Sequence, residues 1–167
     1  LINKEKNSAM LEKVPHKEML DMAIIYRFVM GFDEHGVNTV LLTNELMEDL
    51  EITLSELESL ALKNTLRLFP AQIGKFSKEF YIMTNEHKIH GATTITYPDA
   101  VNKLAEMIQE DFYIIPSSIH EVLAVPLKYA EGADLYSMLE EGNNNFTDDS
   151  EILSDSIYYY SQETKEI

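Results

Sequence analysis

The fold is decided by residues 111 to 127, Asp111-Phe112-Tyr113-Ile114-Ile115-Pro116-Ser117-Ser118-Ile119-His120-Glu121-Val122-Leu123-Ala124-Val125-Pro126-Leu127. Phe112 to Pro116 and Val122 to Leu127 are runs of apolar and β-branched residues of strand length. They are joined only by Ser117-Ser118-Ile119-His120-Glu121. A connection this short pairs its strands antiparallel, because a parallel return needs a crossover of about a dozen residues or more.

Working outward, the same arrangement recurs. From Leu20 to Met30 every even position is apolar (Leu20, Met22, Ile24, Tyr26, Phe28, Met30), while Asp21 and Arg27 fall on odd positions. Period two predicts a long strand. Gly31-Phe32-Asp33-Glu34-His35-Gly36 then reads as a polar turn, and Asn38 to Thr43 as the returning strand of a hairpin. Phe80 to Thr84 and Ala92 to Tyr97 are expected to form a second hairpin around Asn85-Glu86-His87-Lys88. Ile157-Tyr158-Tyr159-Tyr160 is expected to rejoin a sheet.

Helices fill the intervals. Two follow the first hairpin, the second announced by Thr53-Leu54-Ser55-Glu56, where the Thr hydroxyl and the Glu carboxylate can satisfy each other's free amides. Leu57, Leu60 and Ala61 supply its apolar face, and Pro70 closes it. Pro98 opens a helix with Val101, Leu104, Ala105 and Ile108 on one stripe, ending near Glu110. A last helix is expected from Ala133 to Glu141, stopped by Gly142, with residues 142–150 an exposed Asn- and Asp-rich loop. The predicted class is α+β: a mostly antiparallel sheet built from hairpins, with about four helices packed mainly on one face. No internal repeat is visible.

The chain has 167 residues, 45% of them hydrophobic, which suits a single α+β domain over 1–167 with a sizeable core. It contains no cysteine, so disulfides, thiolate zinc sites and a cysteine nucleophile are excluded. Thirteen basic residues against twenty-nine acidic ones set a net charge of −16, a field that repels phosphate backbones. Lys and Arg are scattered singly, so no nucleic-acid partner is expected. The longest apolar stretches, such as Met22 to Tyr26, are far too short for a bilayer, and no membrane partner is expected either. Residues 129 to 167 carry ten acids against Lys165 alone. The opening Leu1-Ile2-Asn3-Lys4 resembles neither a start nor a secretion signal. The expectation is a cytoplasmic protein of which this chain is a fragment.

Cofactor motifs fail on inspection. Gly31 and Gly36 have phosphate-loop spacing, but Val37-Asn38 stands where Lys and Ser or Thr are required. There is no Gly-x-Gly-x-x-Gly, and no cofactor is expected. His120-Glu121 opens like a zinc-protease helix, yet Ala124 occupies the second histidine position. Asn143, Asn145 and Thr147 alternate like a calcium loop, but Asp148 replaces the glycine and Ser154 the bidentate Glu.

Three constellations remain. Ser118, His120 and Glu121 are the residue types of a nucleophile, a base and an orienting acid; the ordinary reading is a turn whose Ser hydroxyls satisfy backbone amides. His87 and His90, beside Glu86, are candidate metal ligands if His120 or Glu121 comes close, and otherwise solvent-facing turn residues. His16, Asp21 and Arg27 could form a polar site on the sheet, although one wet face is normal for an antiparallel sheet.

Taken together, several segments carry a resemblance. They are Val14-Pro15-His16 with Leu20-Asp21-Met22-Ala23, Leu41-Leu42-Thr43-Asn44-Glu45-Leu46, Asn64-Thr65 with Leu68-Phe69-Pro70, His90-Gly91-Ala92, Asp111 to Val122, and Leu153-Ser154-Asp155. The chain resembles an uncharacterised family, a domain of unknown function found in anaerobic gut bacteria, with Pro-Ser-Ser-Ile-His-Glu the most distinctive segment. The resemblance implies that this chain corresponds to the C-terminal part of a larger intracellular protein. It implies no activity and no catalytic residue.

Two functional expectations follow. The first is a non-catalytic intracellular interaction or regulatory domain with an acidic surface, its partner the missing N-terminal region or a basic protein. The second is a hydrolase-like enzyme with a Ser/His/Glu or His-metal site near the Ser117 to Glu121 connection, which requires those side chains to converge in a cleft.

Overall fold

The computed structural model describes residues 1–34 and 36–167. The chain divides into two compact units, Leu1–Pro70 and Ala71–Ile167. Nothing in the composition announces that partition within the stretch read as one domain.

The first unit runs β1 (Ile2–Asn3), α1 (Ser8–Leu11), β2 (His16–Met19), β3 (Met22–Ile25), β4 (Arg27–Asp33), β5 (Gly36–Leu41), α2 (Asn44–Asp49) and α3 (Leu54–Leu68). β1, β3 and β2 form an antiparallel sheet in that order, and β4 with β5 forms a separate two-stranded one. The single strand expected from Leu20 to Met30 is therefore two strands in two sheets. Leu20 adopts a left-handed conformation (φ 57°) in the turn between β2 and β3, and Tyr26 separates β3 from β4. The period does not mark the core throughout either: Met22 and Tyr26 are buried, but Leu20, Phe28 and Met30 are exposed and odd-numbered Ala23 is enclosed. The expected hairpin of β4 and β5 forms, with a register shift between Val29 and Gly31, but Gly31, Phe32 and Asp33, expected in the turn, belong to β4; His35, also expected in the turn, lies outside the described residues.

α3 starts with the anticipated capping box: Thr53 Oγ1 accepts from the Glu56 amide at 3.3 Å, and Glu56 Oε2 accepts from the Thr53 amide at 2.9 Å. It ends two residues before Pro70. Two apolar clusters hold this unit together, Leu11, Val14 and Ala23 in one, Tyr26, Leu42 and Leu57 in the other.

The second unit comprises β6 (Ala71–Lys75), β7 (Tyr81–Asn85), a 3-10 helix (Gly91–Thr96), α4 (Ala100–Ile108), β8 (Phe112–Ser118), β9 (Glu121–Pro126), α5 (Leu127–Ala130), α6 (Leu135–Asn145) and β10 (Tyr158–Tyr160). Its five-stranded sheet has the order β10-β8-β9-β7-β6, every neighbouring pair antiparallel. β8 and β9 pair as their sequence demands, and the three tyrosines of β10 rejoin the sheet against β8.

Ala92–Tyr97, expected as a strand, lies instead in and after the 3-10 helix, and β7 pairs with β6 and β9. The reason lies in the threonines: Thr94 Oγ1 donates to the Gly91 carbonyl and Thr96 Oγ1 to the Thr93 carbonyl, both at 2.7 Å, which stabilises a tight turn in a β-branched segment. The last helix does not stop at Gly142 but continues to Asn145, so the first part of the expected 142–150 loop is helical and Asn143 is buried.

The sheet is buried on both faces. Ile115 and Val125 pack against Leu135 and Leu139 of α6. Their strand neighbours Phe112, Ile114, Val122 and Ala124 point the other way and are buried as well, with the ring of Phe112 stacked on Tyr160 at 4.6 Å. Within this unit the 3-10 helix packs on β7 and β9, and α4 on β6. Among the described residues no helix is long and apolar enough to cross a membrane.

Candidate functional site

Three stretches of the second unit meet at one end of its sheet: the connection from β7 to the 3-10 helix, the β8–β9 turn, and the segment after α6. Asn85 organises the first. Its buried side chain accepts from the His87 amide at 3.0 Å and the Ile89 amide at 3.4 Å, and donates to the Ile89 carbonyl at 2.7 Å. Residues 86–90 are thereby folded back on the strand end, with Lys88 and His90 in left-handed conformations (φ 56° and 50°).

Gly91 follows, and only glycine fits there. A Cβ at this position would lie 2.1 Å from Thr84 Oγ1, 2.4 Å from the His120 carbonyl oxygen and 2.8 Å from the Asn85 nitrogen. The close approach lets the Ala92 amide donate to the Ile119 carbonyl at 3.2 Å, while Thr84 Oγ1 donates to the His120 carbonyl at 2.8 Å. The third stretch joins through the Ile119 amide, which donates to the Glu151 carbonyl at 2.9 Å, and through Thr147 Oγ1, which donates to the Ser117 carbonyl at 3.4 Å.

His120 is the side chain on which these stretches converge. Its Nδ1 accepts from the His90 backbone amide at 3.2 Å, which fixes the neutral tautomer as Nε2–H, and Nε2 meets Glu151 Oε1 at 3.2 Å. The His90 ring stacks on the His120 ring, with centroids 5.7 Å apart and planes inclined by 19°. This is an imidazole held by two hydrogen bonds and a stacked neighbour.

The structure thus brings Ser118, His120 and His90 together, in a different arrangement from a triad. Ser118 Oγ accepts from the His120 backbone amide at 3.0 Å, the turn-closing bond that short Ser side chains commonly make. Glu121 is the backbone partner of Ser118 across the turn, and the carboxylate that meets the His120 ring is Glu151. His87 is exposed, and among the described residues no group of three or more His, Asp or Glu is placed to hold a metal ion.

His16, Asp21 and Arg27 lie in the first unit. His16 Nδ1 engages the Val14 carbonyl at 3.0 Å, the Asp21 carbonyl accepts from the Lys4 amide at 3.1 Å, and Arg27 Nε donates to Thr39 Oγ1 at 2.7 Å. Each is tied into its own strand surroundings.

Sequence reasoning misses Glu151, Thr84, Asn85 and the steric role of Gly91. Glu151 is 31 residues from His120 in a stretch with no apolar period, so no local pattern marks it. Gly91 stands beside His90 in one of the segments that carry the resemblance, and that was its single sign.

A scan against protein families matches residues 1–79 and again 74–162 to a family of unknown function (DUF5688). The two matches meet close to the division between the compact units. No curated protein and no solved structure matches the chain. Matched over most of its length, the chain belongs to this family of unknown function, DUF5688.

Proposed function

We propose that this chain is a protein-interaction module that recruits a basic, strand-forming segment of another protein to the hairpin of β4 and β5. The observation that carries this reading is the exposed apolar face of that hairpin. Phe28 and Val40 are direct cross-strand partners, 40% and 47% exposed, and Met30 beside them is 70% exposed. Side chains paired across a ladder share a face, so Phe28 and Val40 expose apolar surface together, and Met30 adds a third exposed apolar side chain at the register shift of the same strand.

The hairpin is a two-stranded sheet of its own, and among the described residues no further strand pairs with either of its edges. An added strand would satisfy edge amides and carbonyls and cover the apolar side chains in one step. Charge selects the partner: with a net −16, and Asp33 and Glu34 at the hairpin end, a segment alternating Lys or Arg with β-branched residues is complementary. A cytoplasmic setting belongs to this reading.

The test is a titration of the chain with the peptide acetyl-Lys-Val-Lys-Val-Lys-Val-amide, followed by amide chemical shifts. Saturable changes concentrated at residues 27–33 and 36–41 are expected, weakening about tenfold as salt rises from about 0.05 to 0.5 M. Substituting Met30→Ser with Val40→Thr should weaken binding further while leaving the fold intact, because both side chains are exposed. Binding indifferent to salt and to both substitutions would remove the proposal.

The hydrolase reading carries less. A Ser118–His120 pair would need Ser118 Oγ to take the place of the His90 amide at Nδ1, since Nε2 is engaged by Glu151.

A further inference from the structure

The imidazole of His120 stands between two stretches of chain and holds each through a different ring nitrogen. Nδ1 accepts from the His90 amide at 3.2 Å, on the connection from β7 to the 3-10 helix. Nε2 meets Glu151 Oε1 at 3.2 Å, on the segment between α6 and β10. These two bonds respond to a proton in opposite ways. A neutral ring has one nitrogen that can accept, whereas a protonated ring has two donors and no acceptor. Protonation at Nδ1 therefore sets N–H against N–H at His90, and at the same time turns the bond from Nε2 to Glu151 into an ion pair.

The His90 end depends on that bond. His90 holds a left-handed backbone (φ 50°), which a residue with a Cβ adopts when its surroundings secure it. The bonds made by the Asn85 side chain reach His87 and Ile89 and stop short of His90. The His90 ring stacks on that of His120, with centroids 5.7 Å apart. Two cations so placed repel, so the stack takes one proton more readily than two. That proton goes to His120, whose Nε2 already has a carboxylate to pair with.

The same stretches carry other titratable groups. Glu86, His87 and Lys88 belong to the turn before His90, Glu121 follows His120 on β9, and Asp148 and Asp149 precede Glu151. All but Glu121 are exposed, so water screens them, and Glu151 is the charge in contact with the ring.

We propose that His120 is a proton-operated latch: uncharged, it fastens the end of the turn at His90; protonated, it lets go of His90 and tightens on Glu151. Histidine changes charge between about pH 5 and 8, so the exchange of partners falls in that interval. Loss of the amide bond leaves the left-handed His90 unfastened, while the Asn85 side chain keeps residues 87–89 on the strand end. The device lies wholly in the second unit and does not depend on the hairpin of β4 and β5, so failure of either proposal leaves the other standing.

The experiment follows the full chain by NMR from about pH 8 to about pH 5, reading the ring nitrogen shifts of His120 and the exchange protection of the His90 amide. Both are expected to change with one midpoint, His90 protection falling by about tenfold as the ring becomes charged. The Ala92 and Ile119 amides, bonded to the Ile119 and Glu151 carbonyls, should keep their protection throughout. His120→Asn, whose Oδ1 can stand where Nδ1 stood but does not titrate, should leave the His90 amide protected at every pH. Glu151→Gln keeps an acceptor for Nε2–H and removes the ion pair, so the midpoint should move down by roughly half a pH unit. Glu151 is partly exposed, so that variant spares the fold. Constant His90 protection while His120 gains its proton would overturn the latch. So would a His120 ring that stays neutral down to about pH 5, or a Glu151→Gln profile identical to that of the parent chain.

Discussion

Gly91 shows how one residue type can be dictated by contacts far away in sequence. The atoms that a Cβ would strike include the backbone nitrogen of Asn85 and the carbonyl oxygen of His120, neither of which can swing aside as a side-chain end can. Gly91→Ala should therefore push the 3-10 helix off the β8–β9 turn, breaking the bonds from Thr84 to His120 and from Ala92 to Ile119. A loss of about 3 kcal/mol in urea-unfolding stability is expected, at the upper end of overpacking costs. A neutral substitution would show that the approach of these segments is looser than described. His120 belongs to the same scale: its residue type was legible as reactive, but which atoms it meets was not, because Glu151 and the His90 amide reach it only through the fold.

At the scale of elements, the legible ones are those whose stability is local. α3 carries its own capping box, α4 its own apolar stripe, and β8 and β9 a short connection that leaves no alternative pairing. The illegible ones depend on partners. β6 has little strand character in Ala71-Gln72-Ile73-Gly74-Lys75, and is a strand because β7 offers it an edge. Docking of the C-terminal stretch beside β10 is similarly non-local. Asp111 accepts from the Tyr159 hydroxyl and, at 2.9 Å, from the Gln162 amide, while Gln162 Nε2 donates to the Ala105 carbonyl at 2.9 Å. These bonds, that from Tyr159 foremost, hold the Asp111 carboxyl below its ordinary range; the Lys128 ammonium does the same for Glu110, 2.6 Å away.

A carboxyl whose folded-state pKa is depressed stabilises the fold fully above its unfolded value, near 4, and loses that contribution as pH falls through the folded value. Melting temperature should therefore drop on acidification below about pH 4, and Asp111→Asn should flatten that part of the profile. Parallel profiles for the two proteins would refute the link. The same bond raises the Tyr159 hydroxyl, so its contribution is present below the ordinary tyrosine value and is lost as pH climbs through the raised one.

The whole molecule is two compact units, each with its own apolar clusters, and the family matches divide near the same place. Residues 71–167 contain a complete five-stranded sheet with α6 against one face, and Phe112, Ile114 and Leu104 are fully enclosed. Expressed alone, this segment should fold with dispersed amide signals and unfold cooperatively with a stability of about 5–10 kcal/mol, ordinary for its size. A collapsed, signal-poor species would show that the unit depends on residues 1–70. Charge is also a property at this scale: seventeen acids against six bases in the second unit and twelve against seven in the first make both units anionic. That field attracts basic surfaces and repels acidic ones at both units.

By itself the sequence determined the α+β class, the antiparallel pairing of β8 with β9, the capped helix α3, and the exclusion of cysteine chemistry, because each rests on composition or on forces acting within a few residues. Only the tertiary structure decided the division into two units, the break of the 20–30 stretch between two sheets, the helical course of Gly91–Thr96 and Gly142–Asn145, and the meeting of His120 with Glu151. Those outcomes turn on hydrogen bonds and contacts between segments tens of residues apart, whose energy no local pattern records.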